Sequence, residues 1–251
     1  MKFPDFIVVG ATKSGTTALW YNLDKHPDIF MATKGASVEM AFWGSRQWKR
    51  GFDWYKSKFV GNVKLCGEKT PDYYLNKGAF RLMKKHIPNV KLFLCIRNPV
   101  DRAYSNFQMH KKAGRASTFS YNLFVKKYAR AGKYFNHIQN NILPFFDQKQ
   151  LYICITEKMK ANPTIEMEGV FQFLGVEDLN FPSKEIPGQL LLNRTRKEDI
   201  ALSREEKFYR VWSKHKEQLQ DPLRKKILEY YQTHNKKLFD FLGYRIKEWE
   251  K

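Results

Sequence analysis

Four apolar residues, Phe6-Ile7-Val8-Val9, run directly into Gly10-Ala11-Thr12-Lys13-Ser14-Gly15-Thr16-Thr17. From Thr16 to His26 the apolar spacing turns helical, with Leu19 and Leu23 on one face and Pro27 as the stop. A short buried strand that feeds a helix through a glycine-bearing loop leaves few folds open. The loop amides and the positive end of the helix converge on one spot, so the loop is predicted to cradle an anion. Against the nucleotide-binding pattern G-x-x-x-x-G-K-[ST], both glycines and the final hydroxyl match. Thr16, however, holds the lysine position, and the lysine sits at position 13, inside the loop. In a nucleoside triphosphatase the lysine and a magnesium-binding hydroxyl share the β and γ phosphates. A lysine moved into the loop lies nearer a bridging oxygen, where charge grows on a leaving phosphate.

The same alternation continues downstream. Val90 to Ile96 (VKLFLCI) reads as a second buried strand, and Asn98-Pro99 opens a helix to about Lys112. Leu151 to Ile155 (LYICI) reads as a third strand, followed by a helix from Pro163 to Leu174 that Gly175 closes. Ser120 to Phe146 reads as two helices broken near Gly132, and Ser203 to Phe241 as a charged helical tail whose second half Pro222 opens. Strands alternating with helices predict an α/β fold of the P-loop nucleotide-binding type, with a parallel sheet flanked by helices. One domain is expected over residues 1–251, since a chain of that length with 43% hydrophobic residues can bury a full core. The stretch from Asp178 to Asp199 has no periodicity and is expected to be a loop that closes over the ligand.

Forty-five Lys and Arg against 25 Asp and Glu leave a net charge of +20, which favours anionic ligands without choosing among nucleotides, acidic glycans, nucleic acid or membrane surfaces. Clusters such as Lys111, Lys112 and Arg115 read equally well as solvated surface. Cys66, Cys95 and Cys154 sit in apolar strand-like runs and are expected to be core thiols. Their odd number, without paired spacing, fits a reducing compartment, and no run reaches the 18 apolar residues of a membrane span, so a cytoplasmic protein is expected.

Longer segments carry a resemblance. Thr12 to Thr17 (TKSGTT) resembles the 5′-phosphosulfate-binding motif of the sulfotransferases that use 3′-phosphoadenosine 5′-phosphosulfate (PAPS), in particular the branch containing the heparan sulfate N- and O-sulfotransferases. Gly67 to Tyr74 (GEKTPDYY) resembles that branch's G-E-K-[ST]-P-x-Y segment, and Cys95 to Phe107 (CIRNPVDRAYSNF) its 3′-phosphate motif. The later GKYFNHI is similar to its G-x-Y element and FQFLG to its F-L-G ending. The ordered matches run from Phe6 to Gly175, about two-thirds of the chain. The resemblance implies that Lys13, Ser14, Gly15, Thr16 and Thr17 hold the 5′-phosphosulfate of PAPS, and that Arg97 and Ser105 hold the 3′-phosphate. An arginine directly after an apolar strand emerges at the carboxyl edge of the sheet and can grip a phosphate with two parallel hydrogen bonds. Arg194, Arg196 and Lys197 stand where relatives carry a basic loop over the 3′-phosphate, although the relatives' loop sequence and flanking cysteines are missing here. Asp101 and Arg102 read as helix-surface or packing residues.

Sulfuryl transfer needs an in-line acceptor, a base for its proton, and cations for the leaving and equatorial oxygens. Lys13 supplies charge on the leaving side. Lys69 stands where relatives place a lysine beside the transferred group, and is expected to give electrostatic support. Glu39, in Glu39-Met40-Ala41-Phe42-Trp43, matches the glutamate of the relatives' K-E-x-x-F-F and is the expected base. The lysine of that pattern is displaced: Val38 precedes the glutamate, and Lys34 is separated from it by four residues, as if the loop had lengthened. No metal is expected. The acceptor is expected to be a hydroxyl- or amine-bearing molecule such as a glycan. A small-molecule kinase shares the loop and sheet, but the displaced lysine argues against it; magnesium-dependent ATP turnover would favour it. A nonenzymatic nucleic-acid binder is suggested only by charge and aromatic content, and no recognition-helix, zinc or RNA-binding motif supports it.

Overall fold

Five strands form one sheet in the computed structural model: β1 (Phe6–Gly10), β2 (Ile29–Met31), β3 (Leu65–Lys69), β4 (Lys91–Ile96) and β5 (Leu151–Ile155). Their order is β2-β3-β1-β4-β5, and every pairing is parallel. The structure describes residues 2–35, 37–60, 63–116, 119–177, 219 and 221–250.

A strand points successive side chains to opposite faces, and here both faces are apolar. Phe6, Val8, Phe93, Cys95 and Cys154 pack on one side with Leu19 and Leu23 of α1 (Thr16–Asp24) and with Val170 and Phe171 of α8 (Pro163–Leu174). Ile7, Val9, Leu92, Leu94 and Ile96 pack on the other with Tyr55 of α2 (Gly51–Lys56), Phe80 and Met83 of α3 (Lys77–His86), and Tyr134 of α6 (Tyr134–His137). A third cluster joins α4 (Pro99–Lys112) and α5 (Tyr121–Phe124) to α9 (Asp221–Leu242) through Val100, Phe107, Phe124, Ile227 and Tyr231. The element α7 (Thr156–Ala161) continues directly from β5.

From β1 the chain crosses to β2 at one edge, returns to β3 beside β1, and then passes to β4 and β5 on the other side. The crevice beyond the carboxyl ends of β1 and β4 is therefore the point where strand order reverses, the place where open α/β sheets bind ligands. The loop after β1 and Arg97 after β4 meet at that crevice.

The three strands expected from apolar runs are β1, β4 and β5, with β4 starting one residue later than the expected Val90. The other two were not expected as strands: β2 has three residues, and β3 reads Leu-Cys-Gly-Glu-Lys, where the strand-like apolar stretch around Cys66 gives way to polar groups buried by their neighbours. The expected break near Gly132 is a 3-10 turn at Arg130–Gly132, flanked by the π-type segments Val125–Ala129 and Ile138–Ile142. Arg102 is no surface residue. Its side chain is fully buried, while Asp101 does lie outward, paired with Arg224 at 2.6 Å. The closing loop expected over residues 178–199, with Arg194, Arg196 and Lys197, lies outside the described residues, as does the first half of the helical tail.

Candidate active site

Helix α1 begins at Thr16 after Gly15, which holds a left-handed conformation (φ 80°), and no side chain caps it. The positive end of such a helix favours an anion at the loop. Lys13 also has a positive φ, 71°, which for a non-glycine residue costs about 1–3 kcal/mol and is kept only where the surroundings enforce it. The surroundings are specific. Thr12 Oγ1 donates to Asp72 Oδ1 at 2.7 Å, and Thr156 Oγ1 lies 2.8 Å from the carbonyl oxygens of both Ser14 and Ile96. Gly10 allows a close approach: a Cβ there would come within 2.8 Å of Tyr74 Cβ and 2.9 Å of the Pro71 carbonyl. The loop after β1 is thereby clamped to the segment after β3 and to the start of α7. These features fit a phosphosulfate in the cradle.

Lys13 reaches a crowded place. Burial, aided by repulsion from Arg97, Lys112 and Lys69, lowers its pKa from 10.5 to about 8, with Glu39 opposing. Lys69 is 1% exposed, donates to Thr17 Oγ1 at 2.7 Å and pairs with Glu39 Oε1 at 3.3 Å. The two residues also form a parallel β-bridge, and Met40 N–H donates to the Lys69 carbonyl at 3.3 Å. The lengthened stretch before Glu39 folds back on itself: Lys34 and Ser37 exchange backbone hydrogen bonds at 2.7 and 3.2 Å, and Ser37 Oγ accepts from Glu39 N–H at 3.1 Å. The extra residues are absorbed in that turn, and the glutamate still meets Lys69.

Arg97 follows β4, and Asn98 caps α4 by accepting from the Val100 and Asp101 amides, with Pro99 in the first turn. Ser105 lies two turns along α4, at 9% exposure. The Tyr134 hydroxyl donates to the Arg97 carbonyl at 2.8 Å and accepts from the Arg97 amide at 3.2 Å. Burial raises the pKa of this phenol, while the Arg102 charge and the Ser14 hydroxyl draw it back down. One buried tyrosine thus stands between the phosphate loop and the edge of β4.

Lys13, Ser14, Gly15, Thr16, Thr17, Glu39, Lys69 and Arg97 share the crevice at the β1/β4 switch point, with Ser105 on the helix that starts beside Arg97. From sequence, Glu68 and Tyr134 figure only inside matched segments and Lys112 only as solvated surface, and Thr156 is not singled out. Thr156 carried a usable signal: like Arg97, it is a polar residue directly after an apolar strand. Among the described residues no group of three or more His, Cys, Asp or Glu side chains is placed to hold a metal ion. The three cysteines are buried and free, and no described helix is long and apolar enough to cross a membrane.

Comparison with known proteins matches the family described as the sulfotransferase domain over residues 3–240. The chain is 25% identical to a bifunctional heparan sulfate N-deacetylase/N-sulfotransferase 1 of Caenorhabditis briggsae over 98% of its length, and it spans 31% of that relative. It is 31% identical to human heparan sulfate glucosamine 3-O-sulfotransferase 6 over 70% of its length, spanning 53% of that relative. The fold is similar to a crystal structure of a sulfotransferase from Alicyclobacillus acidocaldarius, with TM-score 0.74, 20% identity and full coverage of both chains. It is also similar to that of a mouse sulfotransferase complexed with PAP, with TM-score 0.56, 18% identity, and 79% of this chain and 69% of that one covered.

Proposed function

The chain belongs to the sulfotransferase domain family, and from that premise we propose that it transfers a sulfuryl group from PAPS to a hydroxyl or amine of a glycan related to heparan. The relatives' names support the acceptor class: one acts on nitrogen, the other on a glucosamine hydroxyl. The observation that carries the reading is the cluster of Lys13, Lys69, Glu39 and Arg97 at the switch point, three cations and one carboxylate in one crevice.

PAPS supplies a sulfuryl group on a phosphate that leaves as a dianion. Lys13 meets that developing charge, and Lys69, fixed between Thr17 and Glu39, supports the transferred oxygens. Glu39, with 45% of its side chain exposed, faces both Lys69 and solvent and takes the proton of the attacking hydroxyl or amine. As the acceptor–sulfur bond forms, the sulfur–oxygen bond to the phosphate breaks and its electron pair leaves with the nucleotide. Arg97 and Ser105 hold the 3′-phosphate, with Arg194, Arg196 and Lys197 proposed to cover it. One catalytic domain over residues 1–251 and a cytoplasmic location belong to the same proposal, the latter supported by the odd set of free thiols.

A donor-choice experiment tests this reading. With a panel of heparan-type oligosaccharides and excess EDTA, label should move from ³⁵S-PAPS to acceptor, while γ-labelled ATP with magnesium should give none. Magnesium-dependent phosphate transfer without sulfuryl transfer would replace the proposal with a kinase.

A further inference from the structure

Glu68 is fully buried one residue before Lys69, on the opposite face of β3. Three hydroxyls donate to it: Tyr55 to Oε1 at 2.5 Å, Thr70 to Oε2 at 2.9 Å and Tyr73 to Oε1 at 3.3 Å. Each hydroxyl in turn accepts from the segment that follows Glu39. The Ala41 amide donates to Thr70 Oγ1 at 2.9 Å, the Phe42 and Trp43 amides to the Tyr73 oxygen at 2.7 and 3.0 Å, and the Trp43 indole to the Tyr55 oxygen at 2.9 Å.

The direction of this network is fixed by its ends. N–H groups only donate, so the three hydroxyls must accept from them and send their protons on to Glu68, which accepts all three. Only a carboxylate does this without turning a donor against a donor. The held segment is one that would not keep its shape unaided, since Ala41 has φ 49°, in the left-handed region that a non-glycine residue seldom enters. Directly before it stands Glu39, in contact with Lys69, so the two faces of β3 address the same glutamate: Lys69 through its charge and Glu68 through three hydroxyls and four N–H groups.

We infer that Glu68 is a positioning residue for the transfer reaction, fixing the 41–43 segment so that the Glu39 carboxylate stays at Lys69. This rests on the reading of Glu39 as base. The groups that face Glu68 are the Tyr55 hydroxyl from α2 and the Thr70 and Tyr73 hydroxyls after β3, while His86 of α3 stacks on Trp43, 6.3 Å between ring centres. Lys69 turns its side chain to the other face.

The test is a double-mutant cycle on turnover and on binding of 3′-phosphoadenosine 5′-phosphate. Glu68→Gln keeps the shape but adds two donors, so kcat should fall about 10- to 100-fold, as a misplacement near 1 Å does, with nucleotide Kd changed less than about 2-fold. In a Glu39→Gln background the same change should cost nothing further, because Glu68 acts through Glu39. Undiminished turnover in Glu68→Gln, or an equal loss in both backgrounds, overturns the inference while leaving the base reading in place. Unchanged turnover in Glu39→Gln alone overturns both. Should Glu68→Gln fail to fold, Thr70→Val and Thr70→Ser carry the same test: the valine should lower kcat without weakening nucleotide binding, the serine should restore it, and equal kcat in the two overturns the inference.

Discussion

Two ionisable side chains carry opposite shifts and different consequences. Lys13 loses part of its charge near pH 8 because burial and three neighbouring cations oppose it. An anion bound at the loop would restore that charge, so nucleotide binding above pH 8 should take up a proton. Calorimetry in buffers of different ionisation enthalpy should register the uptake in the parent protein and lose it in Lys13→Met; uptake unchanged in the variant would assign it elsewhere. Burial raises Glu68 from 4.5 to about 7, with its three hydrogen bonds pulling the other way. The folded state thus holds this proton more tightly than the unfolded chain, so the stability Glu68 contributes is full below about pH 4.5 and is lost as pH rises through 7. Turnover needs the ionised carboxylate and should rise over the same interval. Glu68→Gln should flatten that part of both profiles, measured as Tm and kcat against pH.

The β4–α4 unit shows how an element makes a binding site. Strand β4 ends at Ile96, Arg97 emerges at the sheet edge, Asn98 caps the helix, and α4 returns Ser105 two turns later. Arg97→Ala should weaken nucleotide binding more than Ser105→Ala, since a charge-assisted bidentate contact exceeds a neutral hydrogen bond. Both variants should converge with the parent on a nucleotide lacking its 3′-phosphate; a difference that persists there would reassign the pair. This unit and the β1–α1 unit were legible in the sequence because apolar runs, Asn-Pro and a glycine loop are local signals. Strand β3 was not legible as a strand, for although Thr70 and Tyr73 lie close by, the burial of Glu68 and Lys69 also needs partners from α1, α2 and the 39–43 segment, which are distant in sequence. Glu39 lay between these cases. Its pattern was readable, but whether the extra residues displaced it depended on the Lys34–Ser37 turn and the bridge to Lys69.

Across the whole molecule, the far end of the chain supports the site near its start. Trp249 is 1% exposed, packs its ring at a tilt against Tyr134, and donates its indole N–H to Glu157 Oε2 at 3.0 Å, while Glu157 Oε1 accepts from the Asn98 amide at 2.9 Å. Removing that ring should cost about 3–5 kcal/mol, as for other buried large-to-small changes. A urea midpoint for Trp249→Ala within experimental error of the parent would deny the clamp. The positive balance of +20 sets the sign of ligand the molecule attracts, but the reaction depends on the Glu39 carboxylate among the cations of the crevice. The most direct measurement is therefore the single-turnover rate of ³⁵S transfer from PAPS in Glu39→Gln, on an acceptor the parent protein sulfates, with nucleotide affinity measured alongside. The rate should fall by roughly 100-fold or more with affinity nearly unchanged; transfer at the parent rate would contradict the account.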